Sequence, residues 1–435
     1  MRKSIIAILL FLLPITVLAQ NVTVTGRVNR TDALVRLMVC DDLLNWHETQ
    51  VAETRSNSQG FFILEGQVDR IMPAAIYVGL ESVDFIVSPD ATYEVNIMVP
   101  DEDPSQSYFE RSQPTLHVKK AGDKGRYRQL VLSEVIIDDY VLNYFDQIYQ
   151  RRQYRYLDSI RAAIDRELHI TDPYVLQSNT YKIASIQMAI NADGGKKVIQ
   201  EYFDGQPVLY HCQSYMELFK DLFKNFTLTA EFANRNPELA DMVNIYQLRD
   251  LYNEDYQSRK WVKSQLLSIG KQSKSQTIKT MVSNTLDCFE RFAQGAEAPD
   301  FELQMANGGT VKLSDYKNTM IVLQFVDGNS PVVEHQFATL DELHRQWQDS
   351  VQLITVTTKD QLELHRRRFE EHHYDWPLLN LGNDILLLER YEVHTFPEYF
   401  ILLPDTKFGL APAPNPDQTL GKHVTKLFGK LIQQN

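Results

Sequence analysis

The side chains that could do chemistry are few and scattered. Three cysteines, Cys40, Cys212 and Cys288, lie far apart in the chain. No C-x-x-C pair and no metal-type spacing links them, so one disulfide with one thiol left over is possible, but isolated buried thiols are expected. Histidines gather near the C-terminal end as His335, His344, His365, His372, His373 and His394. His365 and His372-His373 lie about two turns apart on a helical stretch rich in Arg and Glu, which reads as a solvated face and not as a metal site. Ser330 precedes His335, but no G-x-S-x-G elbow surrounds it, and a histidine five residues into a helix points well round from its first residue. Neither H-E-x-x-H nor a glycine-rich phosphate loop occurs. The most informative stretch is "IVLQFVDGNSPVVEHQFATLDELHRQW", residues 321–347. A buried strand runs into a short polar turn that opens an amphipathic helix, yet the turn, Ser330-Pro331-Val332-Val333, holds no ionisable group.

Local rules explain that turn. Ser330 is a good N-cap, since its hydroxyl oxygen can accept from an unpaired N–H of the first helical turn. Pro331 suits the first helical position. Val333, Phe337, Leu340 and Trp347 recur at helical spacing and should bury one face.

The elements around the turn follow from patterning. Residues 21–100 alternate apolar and polar at period two in "VTVTGRV", "LVRLMVC", "GFFILEGQV", "AAIYVGL", "DFIVS" and "TYEVNIMV". Turns fall at Asn57-Ser58-Gln59-Gly60 and Ser88-Pro89-Asp90, so a small antiparallel β-sandwich is expected. The proline-punctuated stretch 100–114 reads as a linker or exposed loop, and we place the linker over 101–119. From 120 to 292 the apolar spacing turns helical, and aromatics are frequent, among them Tyr140, Tyr144, Phe145, Tyr149, Tyr154 and Tyr156. A stripe of this kind reads as core or partner surface. Beyond 293 strands and helices alternate. We expect strands at 320–326, 351–357 and 398–403 and helices at 331–348, 360–371, 384–391 and 419–432, an α/β domain with a covered central sheet.

The whole chain sets outer bounds. Its 435 residues suggest about three domains. A formal net charge of −13 disfavours phosphate backbones, and the one basic run, residues 151–155, is explained by a solvated helix face, so nucleic acid is excluded as a partner. At the N-terminus Arg2 and Lys3 precede an apolar run, residues 5–13, that is too short to span a bilayer and is interrupted by Pro14. Val17 and Ala19 fit the small-residue cleavage rule, so residues 1–19 read as a signal peptide and the mature chain as an exported, non-membrane-spanning protein starting at Gln20.

The C-terminal region resembles the thioredoxin-like domains of exported TlpA/ResA-type thiol-disulfide oxidoreductases. The resemblance rests on "GAEAPDFEL", "VKLSDYK", "IVLQFVDGNSPVV", "VQLITVTTKD", "YEVHTFPEYFILLPDTKFG" and "APAPNPDQ", in the family's order over about 140 residues. The middle region, with "YKIASIQMA", "YFDGQPVLYHCQSYMELFKDLF" and "LRDLYNEDYQSRKWV", is similar to the helical segment that precedes this domain in multidomain relatives, which often begin with a small β-domain. The resemblance implies a multidomain α+β chain. A signal peptide at 1–19 would be followed by a β-sandwich at 20–100, a linker at 101–119, a helical region at 120–292 and a thioredoxin-like α/β domain at 293–435. It also implies a periplasmic location in a gram-negative bacterium, and a cis-proline at Pro397.

The family's activity does not carry over with the frame. Ser330 and Val333 stand where the family has its two cysteines, and exchange needs an attacking thiolate and a resolving thiol. Peroxiredoxin-type chemistry needs a cysteine in the same turn. No catalytic residue, metal ligand or cofactor is therefore assigned. What the resemblance leaves is a groove formed by Ser330, Val333, Thr395, Phe396 and Pro397, able to take an extended peptide or envelope protein by strand addition. The alternative is an oxidoreductase whose cysteines come from outside the turn, Cys212 or Cys288, or from a partner.

Overall fold

The fold is a computed structural model. It describes residues 20–100, 113–191, 195–254, 258–328, 330–347, 350–382, 384–393 and 395–434. The stretch read as a signal peptide lies outside these residues, as do His394 and positions 101–112 of the expected linker.

The first region is a sandwich of two four-stranded sheets. One contains β1 (Gln20–Val28), β4 (Phe61–Val68), β7 (Thr92–Met98) and β8 (Thr115–Ala121) in the order β4-β1-β7-β8. The other contains β2 (Leu34–Asp42), β3 (His47–Arg55), β5 (Met72–Val78) and β6 (Glu81–Val87) in the order β3-β2-β5-β6. Alternation puts Val22, Val24, Leu64, Tyr93 and Val95 into the shared interior, where period two requires them. Three details depart from the sequence reading. The sandwich is not wholly antiparallel, because β1 and β7 run parallel. The stretch assigned to the linker ends in β8, which pairs with β7 and extends the first region to Ala121. Strand β3, "HETQVAETR", was not expected at all. It lies at a sheet edge, half exposed, where no apolar alternation is needed.

The middle region is helical. It comprises α1 (Arg126–Asn143), α2 (Arg155–Leu168), α3 (Pro173–Ile190), α4 (Lys196–Tyr202), α5 (Gln213–Phe223), α6 (Ala230–Arg235), α7 (Pro237–Glu254), α8 (Arg259–Gln272) and α9 (Gln276–Arg291). Its main core gathers Phe203, Tyr215, Phe219, Phe223, Met242 and Val262. Leu43 and Leu44, from the turn after β2, enter the same core. Asn284 and Asn45 hold that turn through Asp42 Oδ2 and the Met281 carbonyl, and Arg249 donates to Leu44 O at 2.7 Å. Of the aromatic stripe, Tyr140, Tyr149 and Tyr156 pack on a smaller core around Ile160, while Tyr144, Phe145 and Tyr154 stay exposed.

The last region contains β9 (Glu302–Met305), β10 (Thr310–Lys312), β11 (Met320–Val326), α10 (Pro331–Trp347), β12 (Val351–Thr357), α11 (Leu362–His372), β13 (Leu378–Asn380), α12 (Leu386–Arg390), β14 (Glu398–Leu402), β15 (Phe408–Ala413) and α13 (Leu420–Gln434). Its seven strands are ordered β10-β9-β13-β12-β11-β14-β15. The central three are parallel, and β14 joins β11 antiparallel. β11, "MIVLQFV", is buried at every position because both faces of the sheet are covered. One face packs Met320, Val322, Phe337, Leu340, Leu420 and Val424 under α10 and α13. The other packs Ile321, Leu323, Phe325, Leu387, Tyr391 and Phe400 under α12. This is a thioredoxin-like domain at the end of a multidomain α+β chain. No helix among the described residues is long and apolar enough to cross a membrane.

Candidate functional site

The turn between β11 and α10 sits at the carboxyl edge of the parallel strands, where open α/β sheets place their binding sites. Gly328 takes a left-handed φ of 72°, which turns the chain out of the strand at no steric cost. Asp327 just before it is buried and accepts from Thr358 Oγ1 at 2.6 Å. Ser330 then caps the helix: the Val333 N–H donates to Ser330 Oγ at 3.2 Å, and the Glu334 N–H donates to Ser330 O at 3.1 Å. Ser330, Val332 and His335 are exposed, whereas Val333, Phe337 and Leu340 are buried and Trp347 packs against the same core. The hydroxyl that could have been a nucleophile is engaged by the backbone of its own helix.

The cis-proline loop comes to the same edge. Phe396-Pro397 is cis, and so is Ala411-Pro412, which sequence reasoning did not single out. The register pairs Phe325 with Glu398, so residues 395–397 enter β14 beside the end of β11 and the turn that follows. The backbones of the two candidate segments are thus neighbours, but their side chains are not all turned to a common groove. Val333 is 2% exposed and belongs to the layer under α10, while Phe396 packs on the opposite layer. Both are core residues first. The surface of the candidate groove is left to Ser330, Val332, Thr395 and the half-buried Pro397.

Beneath the turn runs a chain of buried polar groups that the sequence did not advertise. Trp376 Nε1 donates to Thr355 Oγ1 at 3.0 Å, and Thr355 Oγ1 donates to Gln324 Oε1 at 2.8 Å. Gln324 Nε2 donates to the Tyr399 hydroxyl at 3.0 Å, and that hydroxyl donates to Gln336 Oε1 at 2.8 Å. The chain links β12, β11, β14 and α10 and ties the helix of the turn to the strand of the cis-proline loop. Burial raises the Tyr399 phenol well above its usual range, so it stays a donor. The one signal available was Gln324 within an apolar strand, a residue that must find partners when buried.

The histidine reading needs correction at one residue. His372 and His373 are exposed, but His365 is fully buried. Its ring lies 5.8 Å from that of Phe337, and its Nδ1 is 3.1 Å from Arg368 Nη1. Burial, reinforced by Arg368, pushes it down to about 3, which keeps it neutral. Among the described residues no three His, Cys, Asp or Glu side chains are placed to hold a metal ion.

All three cysteines are free thiols; Cys40 and Cys212 are buried and Cys288 is half-buried. Burial raises each of them, Cys40 up to about 12 with further contributions from Glu48 and Asp42.

Comparison with known proteins bears on the same region. Residues 294–407 match the AhpC/TSA family. The C-terminal domain is an AhpC/TSA thioredoxin-fold domain. Over 100 residues the chain is 32% identical to peroxiredoxin Bcp of Bacillus subtilis (strain 168), which covers 23% of this chain; the chain spans 63% of the length of that relative. Among solved structures, a putative thiol-disulfide oxidoreductase from Bacteroides vulgatus is 19% identical with a TM-score of 0.29, covering 32% of this chain and 98% of its own. A putative thiol:disulfide interchange protein DsbE from Chlorobium tepidum is 18% identical, also with a TM-score of 0.29, covering 32% and 99%.

Proposed function

We propose that this is an exported, redox-inactive thioredoxin-like protein that works in the envelope of a gram-negative bacterium as a binding or accessory protein. The observation that carries the reading is the state of the turn. At the two positions that exchange chemistry requires, Ser330 caps α10 and Val333 fills the core. A serine without a base does not supply an attacking anion, and a valine cannot resolve a mixed disulfide. The alternative, exchange through cysteines elsewhere, is disfavoured by the thiols themselves. Burial raises all three, and a raised thiol holds little thiolate at neutral pH.

The edge beside Thr395–Pro397 keeps a form suited to an extended segment, which would add main-chain hydrogen bonds there and place side chains against Val332 and Thr395. Two measurements test the two halves of the reading. With dithiothreitol as electron source, the wild-type protein should not reduce insulin disulfides above the reagent blank, whereas the double variant Ser330→Cys with Val333→Cys should acquire some activity. Wild-type activity overturns the redox-inactive reading. An array of overlapping peptides from envelope proteins of the host should yield binders that are weakened by Val332→Arg and by Thr395→Arg. An array with no binder sensitive to either substitution overturns the groove.

A further inference from the structure

The loop that ends in Pro397 begins at α12, and α12 is held from outside its own domain. Arg36, on β2 of the sandwich, reaches it with a guanidinium that is almost wholly buried. Nη1 donates to Glu389 Oε2 at 2.9 Å and Nη2 to Glu389 Oε1 at 2.5 Å, a two-pronged pair that fixes direction as well as distance. Nη2 also donates to Gly79 O at 3.1 Å, and the guanidinium lies 5.0 Å from the centre of the Tyr77 ring. The turn carrying Gly79 touches the same place. A Cβ at Gly79 would stand 3.1 Å from Ile385 Cδ1, and Leu80 packs on the core layer under α12.

The helical region grips the next residues. Arg291, at the end of α9, pairs with Glu392, and Phe292 packs 5.2 Å from Phe408 in the same layer. Glu392 takes a φ of 48°, a left-handed conformation in which a non-glycine residue is strained. It closes α12 by a Schellman arrangement: the Val393 N–H donates to Leu388 O at 2.8 Å and the Glu392 N–H to Glu389 O at 3.0 Å. Glycine usually occupies that position. A glutamate there gains an ion pair with another region that glycine could not make. Thr395, Phe396 and Pro397 follow within five residues.

We propose that Arg36 and Arg291 are positioning residues for the candidate groove: the sandwich and the helical region set the path of the cis-proline loop through Glu389 and Glu392. This rests on the reading of that loop as a binding edge, and it adds that the edge is complete only when all three regions are docked. Neither residue touches the groove. Each acts through the segment that leads into it, so loosening either should be felt at the loop before it is felt across the sheet.

The test is hydrogen exchange on the full chain, followed at the amides of residues 391–393, 395 and 396, with β11 as the internal control. In Arg36→Met, which keeps the buried volume without the charge, and in Arg291→Met, exchange at those amides should rise about tenfold while β11 is unchanged. The charge-reversed pair Arg36→Glu with Glu389→Arg should recover part of the protection. Unchanged exchange at the loop in a folded variant overturns the proposal, and so does a rise shared equally by β11. If Arg36→Met does not fold, Glu389→Gln, whose side chain is partly exposed, gives the same reading with Arg291→Met. The strongest peptide from the array is then titrated against the same variants and should bind at least about tenfold more weakly. Faster exchange at the loop without any peptide binding in the wild type would sink the groove while leaving the clamp. Peptide binding that survives a loosened loop would sink the positioning role alone.

Discussion

The turn at residues 330–333 and the junction at residues 389–392 use polar groups in opposite ways. At the turn no charge remains: Ser330 satisfies a backbone N–H, and Val333 extends the core. At the junction charges are kept, with the Arg36 guanidinium under cover and Glu389, Arg291 and Glu392 partly open to solvent. Arg36 is buried against Glu389 and Tyr77, and the Glu48 carboxyl is raised by burial while accepting from the Tyr77 hydroxyl at 2.8 Å. Buried charges cost free energy unless their partners are well placed, and here Glu389 and the Gly79 carbonyl supply the acceptors for Arg36. A turn of this fold can thus be built without thiols at little structural cost, because a hydroxyl satisfies the backbone and a methyl-bearing side chain fills the core. The buried Arg36 guanidinium, by contrast, is matched by one particular carboxylate, that of Glu389.

The largest expected effect lies at the junction. Glu389→Ala leaves the Arg36 guanidinium buried without its carboxylate and should cost about 3 kcal/mol in equilibrium urea unfolding. A loss below about 1 kcal/mol would put the pair on a level with exposed ion pairs and remove the contrast. Next comes the layer beneath the turn. The folded chain holds His365 neutral with a pKa of about 3, whereas an unfolded chain protonates it below about 6.5. Its stabilising contribution is complete above pH 6.5 and is lost as the pH falls from there towards 3, at about 1.4 kcal/mol per pH unit. Between pH 6.5 and 5 the wild type should therefore lose about 2 kcal/mol more than His365→Leu does. Parallel pH profiles would show that this histidine is protonated, or solvated, in the folded state.

Tyr399→Phe should cost about 2 kcal/mol, because it leaves Gln324 Nε2 and Gln336 Oε1 buried without a partner. Adding Gln336→Leu to that variant should recover part of the loss; no recovery would mean that the chain of polar groups is not what ties α10 to β14. The smallest effect belongs to the turn. Ser330→Ala removes one cap and should lower stability by about 1 kcal/mol. A loss matching that of Glu389→Ala would erase the distinction between the two regions.

Much of the C-terminal domain was legible because its elements are long and periodic. β11 and β12 occupy the expected residues, and α10 follows the expected helix from Pro331 to Trp347, the last residue described there. β13 and β15 were missed. The first has three residues, too few to show a period, and the second, "FGLAPA", contains a proline and is held at the sheet edge by β14. β3 and β8 were missed for the same reason at other edges, where a strand needs a neighbour more than an apolar face.

The sequence by itself determined the identity of the atoms in the turn, and with it the absence of a thiol from residues 330–333. That needs no coordinates, since a serine and a valine carry no thiol wherever they lie. It also determined the cap at Ser330 and the buried stripe of α10, because both depend on residues within a few positions of one another. Only the tertiary structure decided that Val333 and Phe396 face opposite layers, that His365 is buried while its neighbours are solvated, and that Arg36 meets Glu389 across 353 positions of chain. Each depends on which surfaces pack together. Packing between residues far apart leaves no period or spacing in the sequence from which it could be read.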